Sequence, residues 1–376
     1  MLMSHPMMPA TTHDEQAEQL FVRDLKIFLA EEIDPLGRRL ADRIAPGPEL
    51  PAEERLKAVR NELYGFDSYR ATVSLRRTVQ EMLWDAVGSC VSRQADELSQ
   101  RGAIAAPKGS LTLDPDFRAP AYIRAGDVHL MPGGYHADWG EGDVLQGALM
   151  DRGGAVFMLG RNGGLMNDVR GHTAISHLFA RFPDLEPRKI LEMGCGVGAS
   201  IVPAAKTFPQ AEVHGIDVGA SVLRYAHARA EHLGVAVHFS QQNAERTNFP
   251  DESFDFVYSC VLFHETSHSA LKNIIAESCR LLRPGGVAVH LEVPIRYDEL
   301  DLWGLIGGEF EVRYNNEPFW TGALKADYAA EMRGAGFRDV AVGYQDAVAQ
   351  AQRGAGGFSD TSAGHFRSWF VASGRK

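Results

Sequence analysis

Three groups of residues in this chain have types and spacings suited to chemistry. The first is Glu192-Met193-Gly194-Cys195-Gly196-Val197-Gly198, inside KILEMGCGVGAS (189–200). Alternate glycines after an apolar run permit a tight strand-to-helix turn and let a ligand come close to the backbone. Cys195 reads as a small filler between glycines rather than a nucleophile. The second is Asp217, which closes VHGID. An acidic side chain there can accept hydrogen bonds from both hydroxyls of a ribose. The third is SCVLFHETSH (259–268), where His264 and Glu265 stand side by side as groups able to orient an acceptor or take its proton. The chemistry these imply is a ribose-bearing cofactor held next to an acid–base pair.

The elements that must position them follow from the hydrophobic pattern. Strands are expected at 189–195, 211–217, 235–243, 254–260, 286–294, 337–345 and 365–374. Helices are expected at 173–182, 199–208, 220–234, 269–282 and 325–336. This alternation predicts an α/β fold, a mainly parallel sheet covered by helices. No helix separates the last two strands, so they should pair antiparallel. The expected divisions are a disordered tail (1–14), a helical region (15–115), a connecting or lid segment (116–170) and the α/β domain (171–376). In the helical region Pro35 should break or kink the segment 15–44, with further helices at 52–64 and 67–101. From 103 to about 170 Gly and Pro are frequent, and a long connection with a strand or two is expected.

A ribose alone does not separate a nicotinamide dinucleotide from S-adenosylmethionine. The G-x-G-x-x-G spacing of dinucleotide sites is absent. Glu192 sits two residues before the first glycine, where it can face the ammonium of a methionine moiety. QQNAE (241–245) ends the third strand of the domain with Asn243 able to reach an adenine amine, and RLLRPGG (280–286) makes a tight turn. In ILEMGCGVG, VHGID, QNAERTNFPDESFDFVYS and LLRPGGVAVHLEVP the sequence resembles class I S-adenosylmethionine-dependent methyltransferases. It is most similar to the small-molecule enzymes of the ubiquinone and menaquinone type. The resemblance covers 171–376 and implies a Rossmann-like seven-stranded sheet, mostly parallel with the last strand antiparallel. It implies S-adenosyl-L-methionine as cofactor, with Glu192 and Gly194 at the methionine portion and Gly196 and Gly198 making the close turn. Asp217 would hold the ribose, with Ile216 and Val218 flanking the adenosine, Asn243 and Ala244 at the adenine, and Cys260 beside the sulfonium. Asn243 stands where the family often has Asp, and its amide oxygen can also accept from the adenine amine.

Methyl transfer from a sulfonium is an in-line displacement with a good neutral leaving group, so alignment and exclusion of water dominate. His264 and Glu265 are the catalytic candidates. Acceptor-binding candidates are Tyr135 and His136 in MPGGYHADWGEG (131–142), Arg161 (with Arg170 a second arginine nearby), and Tyr297, Asn316 and Trp320 in the insertion 296–322. His129, His136 and Asp138 offer too few ligands at too irregular a spacing for a metal, and none is expected.

With 38 Lys+Arg against 49 Asp+Glu, the net charge is −11. That excess disfavours nucleic acid and an anionic membrane as partners and favours a small acceptor. An oxygen acceptor is expected first, a thioether or amine second. Four dispersed cysteines and the lack of a basic, apolar leader predict a cytoplasmic protein. The N-terminal helices suggest a cap or a homodimer arm. A nicotinamide-dependent oxidoreductase and a non-catalytic cofactor-binding regulator are the alternative functions.

Overall fold

The computed structural model describes residues 4–47 and 49–376. The N-terminal region is helical: α1 (His13–Phe28), α2 (Asp34–Ile44), α3 (Ala52–Leu63), α4 (Asp67–Arg93) and α5 (Ala95–Gly102). Thr12 and Glu15 form a reciprocal capping box at the start of α1. Between α1 and α2 lies one π-helical turn, Leu29–Ile33, with Pro35 just after it. Proline cannot donate the bond a continuous helix needs, so the chain widens there instead of breaking. The helix expected over 67–101 divides at Gln94, whose buried amide bonds the backbone of Ala10.

That bond belongs to a correction. The tail expected over 1–14 divides: Met1–Met3 lie outside the described residues, and from His5 the chain is packed. Met7 is fully buried, and His5 Nε2 sits 2.9 Å from Asp151 Oδ2. Its apolar side chains find a groove that a polar tail would leave empty.

The region expected to be helical over 15–115 ends in a three-residue strand, β1 (Ser110–Thr112), and the connecting segment contains a helix, α6 (Leu145–Phe157), followed by α7 (Val169–Arg181). The helix α6 was not expected because of its glycines. They serve close packing: a Cβ on Gly147 would lie 2.3 Å from Tyr225, and one on Gly153 2.2 Å from the Trp84 ring. So α6 wedges between α4 and the α/β layer. One apolar cluster accordingly runs from Met7, Val22 and Leu83 through Ala148 to Val197 and Tyr225.

The rest alternates as β2 (Lys189–Met193), α8 (Ile201–Thr207), β3 (Glu212–Asp217), α9 (Ala220–His232), β4 (His238–Gln241), β5 (Phe254–Cys260), α10 (His268–Leu281) and β6 (Leu282–Glu292). Then come α11 (Leu302–Tyr314), α12 (Trp320–Lys325), α13 (Tyr328–Gly334), β7 (Arg338–Asp346), β8 (Phe358–Ser359) and β9 (Ser368–Arg375). The sheet order is β1-β4-β3-β2-β5-β6-β9-β7-β8. The run from β4 to β7 is the expected seven-stranded sheet, with β9 antiparallel to both β6 and β7. The count rises to nine because β1 adds parallel to β4 and β8 adds antiparallel to β7, each two or three residues long. The strand order reverses between β2 and its neighbours β3 and β5. Beyond the carboxyl ends of these strands a crevice must open, since the flanking connections leave in opposite directions.

Candidate active site

The crevice is a cavity of about 390 Å³. One half is made by backbone. After β2 the chain turns through Gly194, Gly196 and Gly198, all at positive φ (69°, 49° and 76°). A side chain at Gly194 would also strike Leu262, 2.6 Å from the Cβ position. Asp217, at the end of β3, pins this turn. Its Oδ2 accepts from Gly196 N at 2.9 Å, and its Oδ1 from Val218 N at 2.7 Å and Gly219 N at 3.1 Å. Burial pushes the Asp217 carboxyl up against the pull of those three donors. Glu192 is buried at the end of β2, its Oε2 3.3 Å from the Tyr258 hydroxyl, and burial raises its carboxyl well above the ordinary range. Asn243 turns its amide oxygen to Glu245 N at 2.9 Å, a local strand-end turn.

Glu192, Gly194, Gly196, Asp217, Val218, Asn243, Ala244 and Cys260 all line the cavity, whereas Gly198 shapes the turn from behind. Arg170, at the start of α7, joins them, and its buried Nε has no hydrogen-bond partner among the described residues.

The other half is made by side chains from distant segments. His264 lies in a short 3₁₀ turn after β5. Its Nδ1 is 2.7 Å from Glu292 Oε2 at the end of β6, and its Nε2 3.3 Å from Glu265 Oε1. The same Glu265 oxygen lies 2.9 Å from His129 Nε2 and accepts from the Tyr135 hydroxyl at 2.8 Å. His129 Nδ1 in turn is 2.9 Å from Glu317 Oε1. Asn315 Nδ2 donates to Glu317 Oε1 and to Glu311 Oε2, both at 2.7 Å.

Charge sharing sets the protonation of this cluster. Burial opposes a charged imidazole, but Glu317 and Glu265 outweigh it and raise His129 to about 10. Glu292 and Glu265 likewise raise His264 well above the usual imidazole range. Despite burial, the two imidazoles hold the Glu265 carboxyl well below its ordinary range. Burial and the neighbouring Glu317 push Glu311 up to about 8.

Of the acceptor candidates, Tyr135 and Trp320 line the cavity with His264 and Glu265; the Trp320 ring stands edge-on to the His264 ring at 5.5 Å. His136, Arg161, Tyr297 and Asn316 do not line it. Arg161 is exposed near Glu31, and Tyr297 packs under Lys325 Nζ, 4.1 Å from its ring centre. Asn316 donates to the Asp127 carbonyl, a local tether, while its neighbour Asn315 turns inward. Asp138 pairs with Arg224 and is no partner to His129. Glu292 and Glu311 were not anticipated. Glu292 ends an apolar strand, where its carboxylate, with His290 two residues before it, interrupts the apolar run in HLEVP; Glu311 carries no distinguishing pattern.

Residues 190–286 match the family model of a methyltransferase domain. The chain is 33% identical over 124 residues to a fatty-acid O-methyltransferase of Mycolicibacterium smegmatis, covering 32% of this chain and 43% of that protein. It is 33% identical over 108 residues to a demethylmenaquinone methyltransferase of Thermus thermophilus, covering 29% of this chain and 48% of that one. The chain thus spans less than half the length of these curated relatives. A solved structure of phosphoethanolamine N-methyltransferase 2 of Haemonchus contortus is similar at 22% identity and a TM-score of 0.41, over 52% of this chain and 44% of that one.

Proposed function

We propose that the chain, whose residues 190–286 match the model of a methyltransferase domain, uses S-adenosylmethionine to methylate a small-molecule acceptor held beside His264 and Glu265. The observation that carries this reading is that one cavity is bounded by the glycine turn and Asp217 on one side and by the His264–Glu265 pair on the other. A methyl donor on the first side then faces an acceptor on the second.

In this reading Glu192 meets the ammonium of the cofactor, Arg170 its carboxylate, and Asp217 its ribose. Arginine suits a carboxylate because its donors form a planar fork. On the acceptor side, the buried Glu265 Oε2 has no hydrogen-bond partner among the described residues and accepts from the hydroxyl of the acceptor. His264, charged between Glu265 and Glu292, is a poor base. It fixes Glu265 and balances its charge. As the methyl–oxygen bond forms, the attacking oxygen becomes far more acidic, so even a weakly basic Glu265 suffices to take its proton. Tyr135 and Trp320 wall the acceptor, and an oxygen nucleophile remains the first choice. Residues 15–115 act as a cap over this side and 116–170 as the lid, since His129 and Tyr135 come from that segment. Exposed Phe21, Phe28 and Leu36 on the outer face of α1 and α2 form a homodimer contact, checked by sedimentation of the wild type against a triple Ser variant.

The decisive test has two parts. Calorimetry with S-adenosylhomocysteine is expected to give one site per chain. Incubation with methyl-labelled cofactor and a fractionated metabolite extract is expected to label a small molecule. Binding of NADH with no binding of S-adenosylhomocysteine would overturn the reading; cofactor binding with no labelled product from any fraction would favour the regulator instead.

A further inference from the structure

The acceptor half of the cavity holds more ligating groups than proton transfer requires. A ring nitrogen of His129, one of His264 and a carboxylate oxygen of Glu317 lie within 4.8 Å of one another. They come from three segments, 129, 264 and 317, so no local turn forces them together. Around them are three further carboxylates, Glu265, Glu292 and Glu311. Two imidazoles thus stand among four carboxylates, three of them buried and Glu311 half-buried, and buried charges of this kind are either paired or bound to a metal.

Two further observations point the cluster at a ligand. Glu317 is 2% exposed, yet its Oε2 has no hydrogen-bond partner among the described residues. A bare buried carboxylate oxygen is costly unless something positive occupies the space before it. The second is the support behind His264. Glu292 Oε2 engages Nδ1 at 2.7 Å, which leaves Nε2 turned towards Glu265 and the cavity. A carboxylate on the far nitrogen is the usual way a metal-binding imidazole is oriented and made a better donor. His129 is aimed with similar force. It sits at φ 56°, a costly conformation for a residue with a side chain, while its carbonyl accepts from Trp84 Nε1 at 2.7 Å and Gln80 Nε2 at 2.9 Å.

We propose that His129, His264 and Glu317, with Glu265 Oε1 as a neighbouring fourth donor, bind one divalent first-row transition-metal ion at the acceptor end of the cavity. The donor set is imidazole and carboxylate without thiolate. That selects zinc, manganese, iron(II) or cobalt over soft ions, and disfavours magnesium, which prefers all-oxygen surroundings. Bound there, the ion adds a position for the acceptor oxygen and lowers the pH at which that oxygen loses its proton. Binding displaces one ring proton from each of the two charged imidazoles, His129 and His264, and both protons leave to solvent. The inference deepens the reading above. It rests on that reading for the use of the metal, though not for its place.

The test uses the tag-free full-length chain, stripped with chelator and titrated with Co²⁺. One equivalent is expected to bind, with visible absorption bands of low-symmetry cobalt that Zn²⁺ then abolishes. His129→Gln and Glu317→Gln are each expected to remove the bands. Glu292→Gln, which spares the ligands, is expected to weaken binding about 10–100-fold. Each variant is also titrated with S-adenosylhomocysteine, which reports the fold and the cofactor half separately. Absence of stoichiometric metal in a protein that binds S-adenosylhomocysteine overturns the metal site and leaves the methyl-transfer reading standing. Bands unchanged in both His129→Gln and Glu317→Gln overturn it as well. Metal uptake without methyl transfer would instead retain the site and sink its proposed use.

Discussion

The two halves of the cavity are built on different principles. The centre of the cofactor half is contiguous: β2, the glycine turn and the end of β3 lie between residues 189 and 217, Arg170, Asn243, Ala244 and Cys260 join it from outside that stretch, and its shape comes from backbone held by Asp217. The acceptor half gathers Tyr135, His129, His264, Glu292, Glu311 and Glu317 from four separate segments, and its shape comes from charge pairing among side chains. A backbone-built site tolerates few changes but needs few residues. A side-chain network can be altered residue by residue, so acceptor choice can change while cofactor binding stays fixed. If this division is real, substitutions in one half should leave the other half's readout alone.

The largest effect is expected at His264. Replacing it with Gln keeps the bulk but removes the charge shared between Glu265 and Glu292. Glu265 then loses the partner that fixes it and balances its charge, so turnover should fall towards, at most, the about 10²–10⁴-fold range for losing the base itself. Affinity for S-adenosylhomocysteine should stay within about twofold. Single-turnover methyl transfer and calorimetry on the same preparation measure the two. A matched fall in both would show that the halves are one unit.

Asp217→Ala probes the opposite half. It removes the acceptor of three backbone N–H groups together with the proposed ribose ligand. Cofactor affinity should weaken by about 1–3 kcal/mol, the cost of stranding buried donors. By calorimetry that is about 5–150-fold. Unchanged affinity would remove Asp217 from the site.

A smaller effect concerns pH. Burial raises the Glu192 carboxyl in the free protein, so it tends to hold its proton. An ammonium arriving beside it favours the ionised form. Binding therefore releases a proton, and affinity should rise with pH until the free protein has itself lost that proton. The limit is about tenfold per pH unit, because one proton is linked. Calorimetry in buffers of different ionisation enthalpy reads the release directly. A Glu192→Gln variant should abolish it. Proton uptake in place of release would show that Glu192 does not meet the ammonium.

The same division explains how much the sequence disclosed. Glu192, the three glycines and Asp217 act through local turns and strand ends, and local geometry is written in neighbouring residues. The alternation of strands and helices and the antiparallel pairing of β9 with β7 followed from elements long enough to show their period. The acceptor half depends on long-range closure. Nothing near His129 announces that its partners are Glu265 and Glu317 rather than His136 and Asp138. Asn315 and Asn316 are adjacent and chemically identical, yet one faces Glu317 and the other Asp127, because Asn316 takes positive φ (56°) at the end of α11. The helix α6 was hidden for a related reason: its glycines answer to Trp84 and Tyr225, side chains far away in sequence. The packed start of the chain was hidden because Met7 and His5 read as tail composition until the groove they fill is known.

The smallest expected effect tests whether the cofactor half is indeed governed by backbone. Asn243 lines the cavity where an adenine would lie, and its side chain already serves a local purpose: Oδ1 accepts from Glu245 N at 2.9 Å. Aspartate offers an oxygen in the same place and forms the same kind of turn. It also retains a lone pair for an adenine amine. What it loses is the Nδ2 contact to Glu245 Oε1, which at 3.4 Å is long and weak. What it adds is a second negative charge next to Glu245, in a part-exposed position where repulsion is screened and worth at most about 1 kcal/mol. Asn243→Asp should therefore change S-adenosylhomocysteine affinity by less than about fivefold, the bound that 1 kcal/mol sets. Turnover at saturating cofactor should not change. A loss approaching that of Asp217→Ala would mean that the amide nitrogen itself is read by the cofactor. Binding at the β4 end would then be governed by side-chain identity, as the acceptor half is.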